Sequence, residues 1–116
     1  ILAINKNNEL VSGSEDRTIK IWNMTTGQLK STISESYHVY SLVINLNNHY
    51  LIGYNHNEIR LRMGPQAFTL TKHNSSVNSL IINKINQDII SGSDDYTINL
   101  WFLNNNNYYY YKTTLK

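Results

Sequence analysis

Ser12–Trp22 reads SGSEDRTIKIW, and Ser91–Trp101 reads SGSDDYTINLW. The two strings keep Ser-Gly-Ser, Asp, Thr-Ile and Trp in register, and they start about 80 residues apart, twice the period of a ~40-residue repeat. A weaker copy, GYNHNEIRLR at Gly53–Arg62, lies midway between them. The chain therefore contains one structural unit three times.

The segments around these strings have the pattern of short β-strands separated by turn residues. VYSLVIN at 39–45 and VNSLIIN at 77–83 match at five of seven positions, and LAIN at 2–5 ends a third copy. Three more strand types recur, at 10–14, 50–54 and 88–93, at 18–22, 58–62 and 97–101, and at 28–33, 66–71 and 108–115. Four strands per repeat predict an all-β fold, a partial β-propeller of about three four-stranded antiparallel blades.

Length and composition limit the possible classes of protein. A chain of 116 residues with 41% hydrophobic and 16% charged residues predicts one globular domain. The net charge of +2, with basic residues scattered along the chain, argues against nucleic acid as a partner. The absence of cysteine excludes disulfides and thiolate metal ligands. No apolar run is long enough for a membrane span and no signal peptide is visible, which favours an intracellular protein, cytoplasmic or nuclear.

The repeat spacing divides the predicted domain into four parts. They are an incomplete blade at 1–27, a degenerate blade at 28–65, the best-matching blade at 66–103, and an asparagine-rich loop with the start of a next outer strand at 104–116. Three blades are too few for a ring, so two explanations stay open. The chain is a piece of a longer protein, which the missing initial Met favours, or it self-associates, with 108–115 completing a blade of a second copy.

These residues resemble the WD-repeat β-propeller family over nearly the whole chain. The family's blades hold a buried tetrad of His, Ser or Thr, Asp and Trp, so the resemblance implies a structural tetrad of His73, Ser91, Asp95 and Trp101 in the third repeat. Ser93 is a second candidate for the hydroxyl. The first repeat keeps Ser12, Asp16 and Trp22, whereas its histidine would precede residue 1.

The second repeat departs from the family pattern. Glu35 stands near the histidine position, His56 and Asn57 stand near the aspartate, and Arg62 replaces the tryptophan. We therefore expect no tetrad and a looser blade there. Arg60 and Arg62 share a strand face, where a solvated blade edge is favoured over a phosphate or acidic-peptide site.

A catalytic or metal-binding role has little support in the sequence. Ser91, Asp95 and His73 also make a formal hydrolase triad, but nothing supplies an oxyanion hole or a G-x-S-x-G elbow. The four histidines lack metal-ligand spacing, and no phosphate-binding glycine loop is present. We predict no enzyme activity, cofactor or metal. The asparagine run at 104–107 is interpreted as a flexible surface loop.

The resemblance implies a non-catalytic scaffold that binds a protein or peptide partner through its loop face. Residues that match the family's partner-reading positions are His38, Tyr40 and His56 in the second repeat, Ser76, Asn78 and Asp94 in the third, and Glu15 in the first. Tyr40 is the favoured anchor because aromatic side chains dominate binding hot spots. The alternative is an accessory or targeting module of an enzyme, such as a ubiquitin-ligase substrate receptor or a kinase, with its chemistry outside this chain.

Overall fold

A computed structural model describes residues 1–116 as twelve β-strands with no helix, and therefore with none that could cross a membrane. Their bounds are β1 Leu2–Ile4, β2 Leu10–Gly13, β3 Thr18–Trp22, β4 Leu29–Ser34, β5 Val39–Ile44, β6 Tyr50–Tyr54, β7 Glu58–Met63, β8 Gln66–Thr71, β9 Val77–Ile82, β10 Ile89–Ser93, β11 Ile98–Leu103 and β12 Tyr109–Leu115. Side chains along most strands alternate between buried and more exposed, the two-residue period of a pleated strand.

The strands form three four-stranded antiparallel sheets in chain order, β1–β4, β5–β8 and β9–β12. The predicted all-β partial propeller is thereby confirmed. The predicted blade bounds at 27/28, 65/66 and 103/104 are wrong by one strand. Each outer strand pairs with the strand before it, as where Ile33 lies opposite Ile19, so the first sheet includes residues 28–34 and is complete.

The last strand also has its partners within this chain. Tyr110 lies opposite Phe102 and Thr113 lies opposite Leu100, so β12 is the outer strand of the third sheet. The prediction that 108–115 completes a blade of a second copy is therefore wrong, because the backbone hydrogen bonds of that strand already join it to β11.

Asparagine builds the tight turns at the end of the molecule where β1 joins β2. The side-chain oxygen of Asn5 accepts hydrogen bonds from the backbone N–H groups of Asn7 and Glu9, both at 3.0 Å. Asn45 and Asn104 repeat the arrangement. Asn107 has φ of 66°, a left-handed conformation that asparagine tolerates well. The run at 104–107, predicted as a flexible loop, forms a hydrogen-bonded turn between β11 and β12.

Two apolar cores hold the three sheets together. Val11 and Ile19 of the first sheet pack with Val39 and Ile52 of the second, and all four are at most 3% exposed. A second core joins Leu61 of the second sheet to residues of the third, including Val77 and Trp101. The second sheet is therefore buried on both faces, which explains why every residue of β6 is buried.

The second and third sheets approach each other closely at Gly53. A Cβ atom there would overlap the Ser41 hydroxyl and lie 2.8 Å from the Val77 carbonyl oxygen. We expect Gly53→Ala to lower the free energy of unfolding by about 1–3 kcal/mol, because backbone has to move to admit the methyl group. Chemical denaturation measures this.

Gly92 is the matched control, since it occupies the same place in the third sheet. A Cβ atom on Gly92 would meet only the Ser79 Cβ, at 3.8 Å, which is an ordinary contact. Gly92→Ala should therefore leave the denaturation midpoint nearly unchanged. Equal effects of the two substitutions would contradict the close approach at Gly53.

Candidate functional site

One end of the three sheets, the top face, is formed by the turns at 14–17, 55–57 and 94–97 and by the connections at 35–38 and 72–76. Backbone hydrogen bonds join these segments. The N–H of Asn55 donates to the carbonyl of His38 at 3.1 Å, and the N–H of Asp94 donates to that of Ser76 at 3.0 Å. The top face is therefore a set of turns that are held in place by neighbouring connections.

The third sheet brings its four tetrad residues together. His73 Nδ1 lies 2.9 Å from Asp95 Oδ2, and His73 Nε2 lies 2.7 Å from Ser91 Oγ. Because a carboxylate can only accept, Nδ1 is the donor to Asp95, and in the neutral imidazole Nε2 is then the acceptor for the Ser91 hydroxyl. The Trp101 indole N–H donates to Ser91 Oγ at 2.9 Å. The result is a continuous hydrogen-bonded chain from the turn to the core.

Asp95 links this series of side-chain hydrogen bonds to the backbone, because its carboxylate also accepts from the N–H groups of Asn74 and Thr97. Burial acts to raise the pKa of Asp95, but hydrogen bonds from Thr97, from the Asn74 backbone and from His73 outweigh it and hold the pKa well below its ordinary value. Ser93, the second candidate for the hydroxyl, instead donates to the Ser75 carbonyl at 3.2 Å and accepts from the Asp95 N–H.

The first sheet forms only part of the arrangement. Trp22 donates to Ser12 Oγ at 2.9 Å, as in the third sheet. Asp16 is exposed and accepts from the N–H and hydroxyl of Thr18, bonds that lower the pKa of its carboxyl group. No hydrogen bond joins Asp16 to Ser12 or Trp22.

In the second sheet a different buried polar cluster occupies the place of the tetrad. Glu35 Oε1 accepts from Arg62 Nε at 2.6 Å, and Oε2 accepts from the Tyr54 hydroxyl at 2.9 Å and from Arg60 at 3.2 Å. Burial and the Glu35 carboxylate raise the pKa of Tyr54, so its hydroxyl remains a donor.

This cluster overturns two expectations for the second blade. The blade is not loose, because Glu35 and Tyr54 are buried and their polar groups are paired. Arg60 and Arg62 do not form a solvated edge either, since their side chains are only 21% and 20% exposed and both bond Glu35.

The formal hydrolase triad has no access to a substrate. Ser91 is completely buried, and its Oγ already lies between His73 Nε2 and the Trp101 indole. A nucleophilic hydroxyl has to reach a scissile carbonyl from a pocket. The geometry is that of a structural network.

The candidate partner-binding residues all lie on the top face or at the start of a strand that begins there. Glu15, Tyr40, His56, Asn78 and Asp94 are exposed, whereas His38 and Ser76 are half-buried. Asn78 and Asp94 hydrogen-bond each other.

The register adjusts one assignment in the second sheet. Gly53 lies opposite Ile59, just as Gly13 lies opposite Ile19, so the two turns have equal length. His56 therefore corresponds to Asp16 and Asp95, and Asn55 corresponds to Glu15 and Asp94.

Tyr37 is a top-face residue that the sequence analysis missed. Its ring stacks on His56 with centroids 4.3 Å apart and planes 2° from parallel, and it meets buried Tyr54 edge-on at 5.9 Å. The sequence signal was an aromatic residue inside a connection, but its stacking partner lies in another turn and no fixed offset relates the two.

Comparison with known proteins identifies the family. The model of the WD domain, G-beta repeat, known as WD40, matches residues 2–23 and 64–101, just over half of the chain. The chain belongs to the WD40 repeat family. The unmatched stretch, 24–63, contains three of the four strands of the second sheet, β5–β7, and also Glu35 and the two arginines that replace the usual residues. WD40 repeats generally mediate protein–protein interactions.

Curated WD40 relatives are longer than this chain. The B-type cell cycle switch protein ccs52B of Medicago truncatula is 32% identical over 83% of the chain, and protein tipD of Dictyostelium discoideum is 34% identical over 83%. The anaphase-promoting complex subunit cdh1 of Dictyostelium discoideum is 31% identical over 78%. The chain spans 21%, 16% and 13% of their respective lengths.

Solved WD40 structures share the fold. The structure of U3-55K superimposes with a TM-score of 0.83 at 21% identity, over 98% of this chain and 38% of that one. The RRP9 WD40 repeats superimpose with the same TM-score at 22% identity, over 98% and 37%. The three sheets thus have the arrangement of consecutive blades.

Proposed function

We propose that this chain is a non-catalytic scaffold that binds a protein or peptide partner on its top face. The observation that carries the proposal is the exposure of aromatic and polar side chains on turns that hydrogen bonds hold in place. Tyr40 is 36% exposed on a strand whose neighbours Val39 and Ser41 are buried. Binding residues on loops that a rigid scaffold positions are the common arrangement in interaction domains.

The second sheet supplies the aromatic part of this surface. The Tyr37–His56 stack rests on buried Tyr54 and presents the His56 ring outward. The flanking turns carry exposed carboxylates, Glu15 in the first sheet and Asp94 in the third. This combination suits a peptide with a planar or apolar anchor side chain between polar or basic residues.

Removing the favoured anchor tests the proposal. Peptides are selected on the chain from a displayed random library, and their dissociation constants are measured by fluorescence polarisation. Tyr40→Ala should weaken binding by at least about tenfold, because a truncated aromatic anchor loses its packed contact area.

Tyr110→Ala is the matched control, since Tyr110 is an exposed tyrosine on the outer strand β12 and away from the top face. It should leave the dissociation constants unchanged. Two results would contradict the top face as the binding surface. One is a set of peptides whose affinity is unaffected by Tyr40→Ala but reduced by Tyr110→Ala, and the other is a library selection that yields no specific peptide.

A second candidate is an accessory or targeting module of an enzyme, such as a ubiquitin-ligase substrate receptor or a kinase. The names of the relatives favour a regulatory role, since two are a cell cycle switch protein and an anaphase-promoting complex subunit. Purification of the native protein followed by quantitative mass spectrometry tests this candidate. Ligase or kinase subunits that co-purify in stoichiometric amounts would support this candidate. Their absence would favour the non-catalytic scaffold.

A further inference from the structure

A cavity of about 240 Å³ lies at the junction between the first and second sheets. Two strands of the first sheet form one side of it, and the second sheet forms the other. Asn48 and Gly64 belong to turns at the end opposite the top face, and Gly64 is exposed, so the cavity opens to solvent there. The lining residues are Ile21, Ile33, Asn48, Tyr50, Arg62 and Gly64. Its volume is that of a small ligand site.

The cavity is explained by the arginine that replaces a tryptophan. In the register of the three sheets, Arg62 stands at the position of Trp22 and Trp101. Trp101 is 3% exposed and packs in the core between the second and third sheets. Arg62 instead donates from Nε to the buried Glu35 carboxylate at 2.6 Å. The junction between the first and second sheets therefore lacks the indole ring that the other junction contains.

Three side chains that line the cavity have hydrogen-bond donors without a partner in the chain. Arg62 makes no hydrogen bond through Nη1 or Nη2, since its bond to Glu35 uses Nε alone. Asn48 accepts at Oδ1 from the Lys6 N–H, and its Nδ2 donates to nothing. The Tyr50 hydroxyl accepts one bond, at 3.1 Å, and donates none. The polar lining is thus rich in unused donors.

The tyrosine at the other junction shows what the Tyr50 hydroxyl lacks. Tyr109 accepts from Asn45 of the preceding sheet at 3.1 Å, and it also donates to the Gln87 carbonyl at 3.1 Å. Tyr50 is only 8% exposed, so a hydroxyl proton without an acceptor is unfavourable there. An acceptor within the cavity would satisfy it.

The charges around the cavity favour an anion as that acceptor. No acidic side chain lines it, and its one ionised lining residue is Arg62. Glu35 lies at the Nε side of the guanidinium group, so the pair Nη1 and Nη2 remains open for a second carboxylate. Guanidinium groups bind carboxylates with two parallel hydrogen bonds of this kind.

We propose that this cavity binds a short aliphatic carboxylate of about five carbon atoms. The carboxylate accepts from Arg62 Nη1 and Nη2, from Asn48 Nδ2 and from the Tyr50 hydroxyl, while the alkyl chain packs between Ile21 and Ile33. An inorganic anion would leave the isoleucines uncovered, and a neutral aliphatic molecule would leave the donors unpaired. The site lies apart from the top face and is a second binding site of the same chain.

The test titrates the full chain with sodium pentanoate at constant ionic strength and follows amide and guanidinium signals by NMR. We expect a dissociation constant of roughly 1 mM or lower, with large shifts at the Asn48 side-chain amide and the Arg62 Nε. Affinity should rise about fourfold per methylene group from acetate to pentanoate, as the chain covers the isoleucines. Pentanol and inorganic phosphate should bind at least about tenfold more weakly than pentanoate.

Two conservative substitutions, each with a matched control, locate the carboxylate. Tyr50→Phe removes one donor and should weaken pentanoate binding by at least about tenfold, whereas Tyr109→Phe at the other junction should not. Asn48→Asp keeps the acceptor for Lys6 but places a negative charge in the cavity, and should abolish binding. Asn8→Asp makes the same change of charge in a turn residue of similar φ, 60° against 61°, that does not line the cavity, and should bind as the parent does.

Loss of binding in Tyr50→Phe and Asn48→Asp alone, with melts that show all four variants folded, would support the proposal. Absence of saturable pentanoate binding would overturn it, because the cavity would then hold only solvent. Equal affinity for pentanol or for phosphate would also overturn it, since either the donors or the apolar walls would then play no part. Equal losses in Tyr50→Phe and Tyr109→Phe would place the ligand outside this cavity.

Discussion

Replacing Asp95 with alanine should lower the free energy of unfolding by about 2–4 kcal/mol, which thermal and chemical denaturation would measure. The substitution removes the acceptor for His73 Nδ1, for the Asn74 N–H and for the N–H and hydroxyl of Thr97. His73 is 2% exposed, so its donor cannot turn to water without opening the connection between β8 and β9. The energetic cost is that of buried donors left without partners.

Asp94→Ala is the matched control for this prediction. Asp94 is the adjacent carboxylate in the same turn, but it is exposed and its side chain bonds only Asn78. Its removal should change the melt little. Equal loss on removing either aspartate would show that the turn, and not the tetrad, sets the stability of the third sheet.

The contribution of Asp95 should also depend on pH. Its pKa is lower in the folded state than the ordinary value of 3.8, so the folded protein binds this proton less readily than the unfolded chain. The stabilisation is then complete above about pH 4 and decreases as the pH falls towards the folded pKa. The difference in stability between the parent and Asp95→Asn should shrink below pH 3.8, and a constant difference would contradict this assignment.

Much of the fold could be predicted from the sequence because its signals are local. The two-residue alternation located the strands, and the fixed offsets of Gly13, Asp16 and Trp22 located the repeats. What the sequence left undecided was which neighbour each outer strand joins. An apolar pattern marks the two faces of a strand but does not identify its hydrogen-bonded partner, so the predicted blade bounds were shifted by one strand.

The candidate site was predictable only where the repeat matched the family pattern. His73, Ser91, Asp95 and Trp101 stand at recognisable offsets, and the structure brings them within hydrogen-bonding distance. In the second repeat each departure from the family pattern, taken alone, indicated the loss of a tetrad residue. Glu35 and Arg62 replace the tetrad by forming an ion pair with each other. Because the two residues lie in separate elements, this pairing can be recognised only in the folded sheet.

Glu35→Gln should lower the free energy of unfolding by about 3–5 kcal/mol, the largest effect that we expect from one substitution in this chain. The Glu35 side chain has no solvent exposure, and it is the carboxylate shared by Arg60 and Arg62. Glutamine keeps the shape but removes the charge, and its amide group points N–H donors at guanidinium or hydroxyl donors. Arg62 would then have no counter-ion and Arg60 would keep only its ion pair with Glu58, at 2.8 Å, although about four-fifths of each arginine side chain is covered.

Glu9→Gln is the matched control, because Glu9 also pairs with a cation, Lys30, whose side chain is 53% exposed. Solvent can replace that partner, so the melt should hardly change.

Glu35→Leu distinguishes lost charge from lost packing. If it is as destabilising as Glu35→Gln, then the loss of the Glu35 charge is the cause. If Arg62→Trp restores the stability of Glu35→Leu, then the buried ion pair of the second sheet can be replaced by the tryptophan that the other two sheets carry at this position. A melt of Glu35→Gln that coincides with that of Glu9→Gln would contradict a structural role for the buried carboxylate.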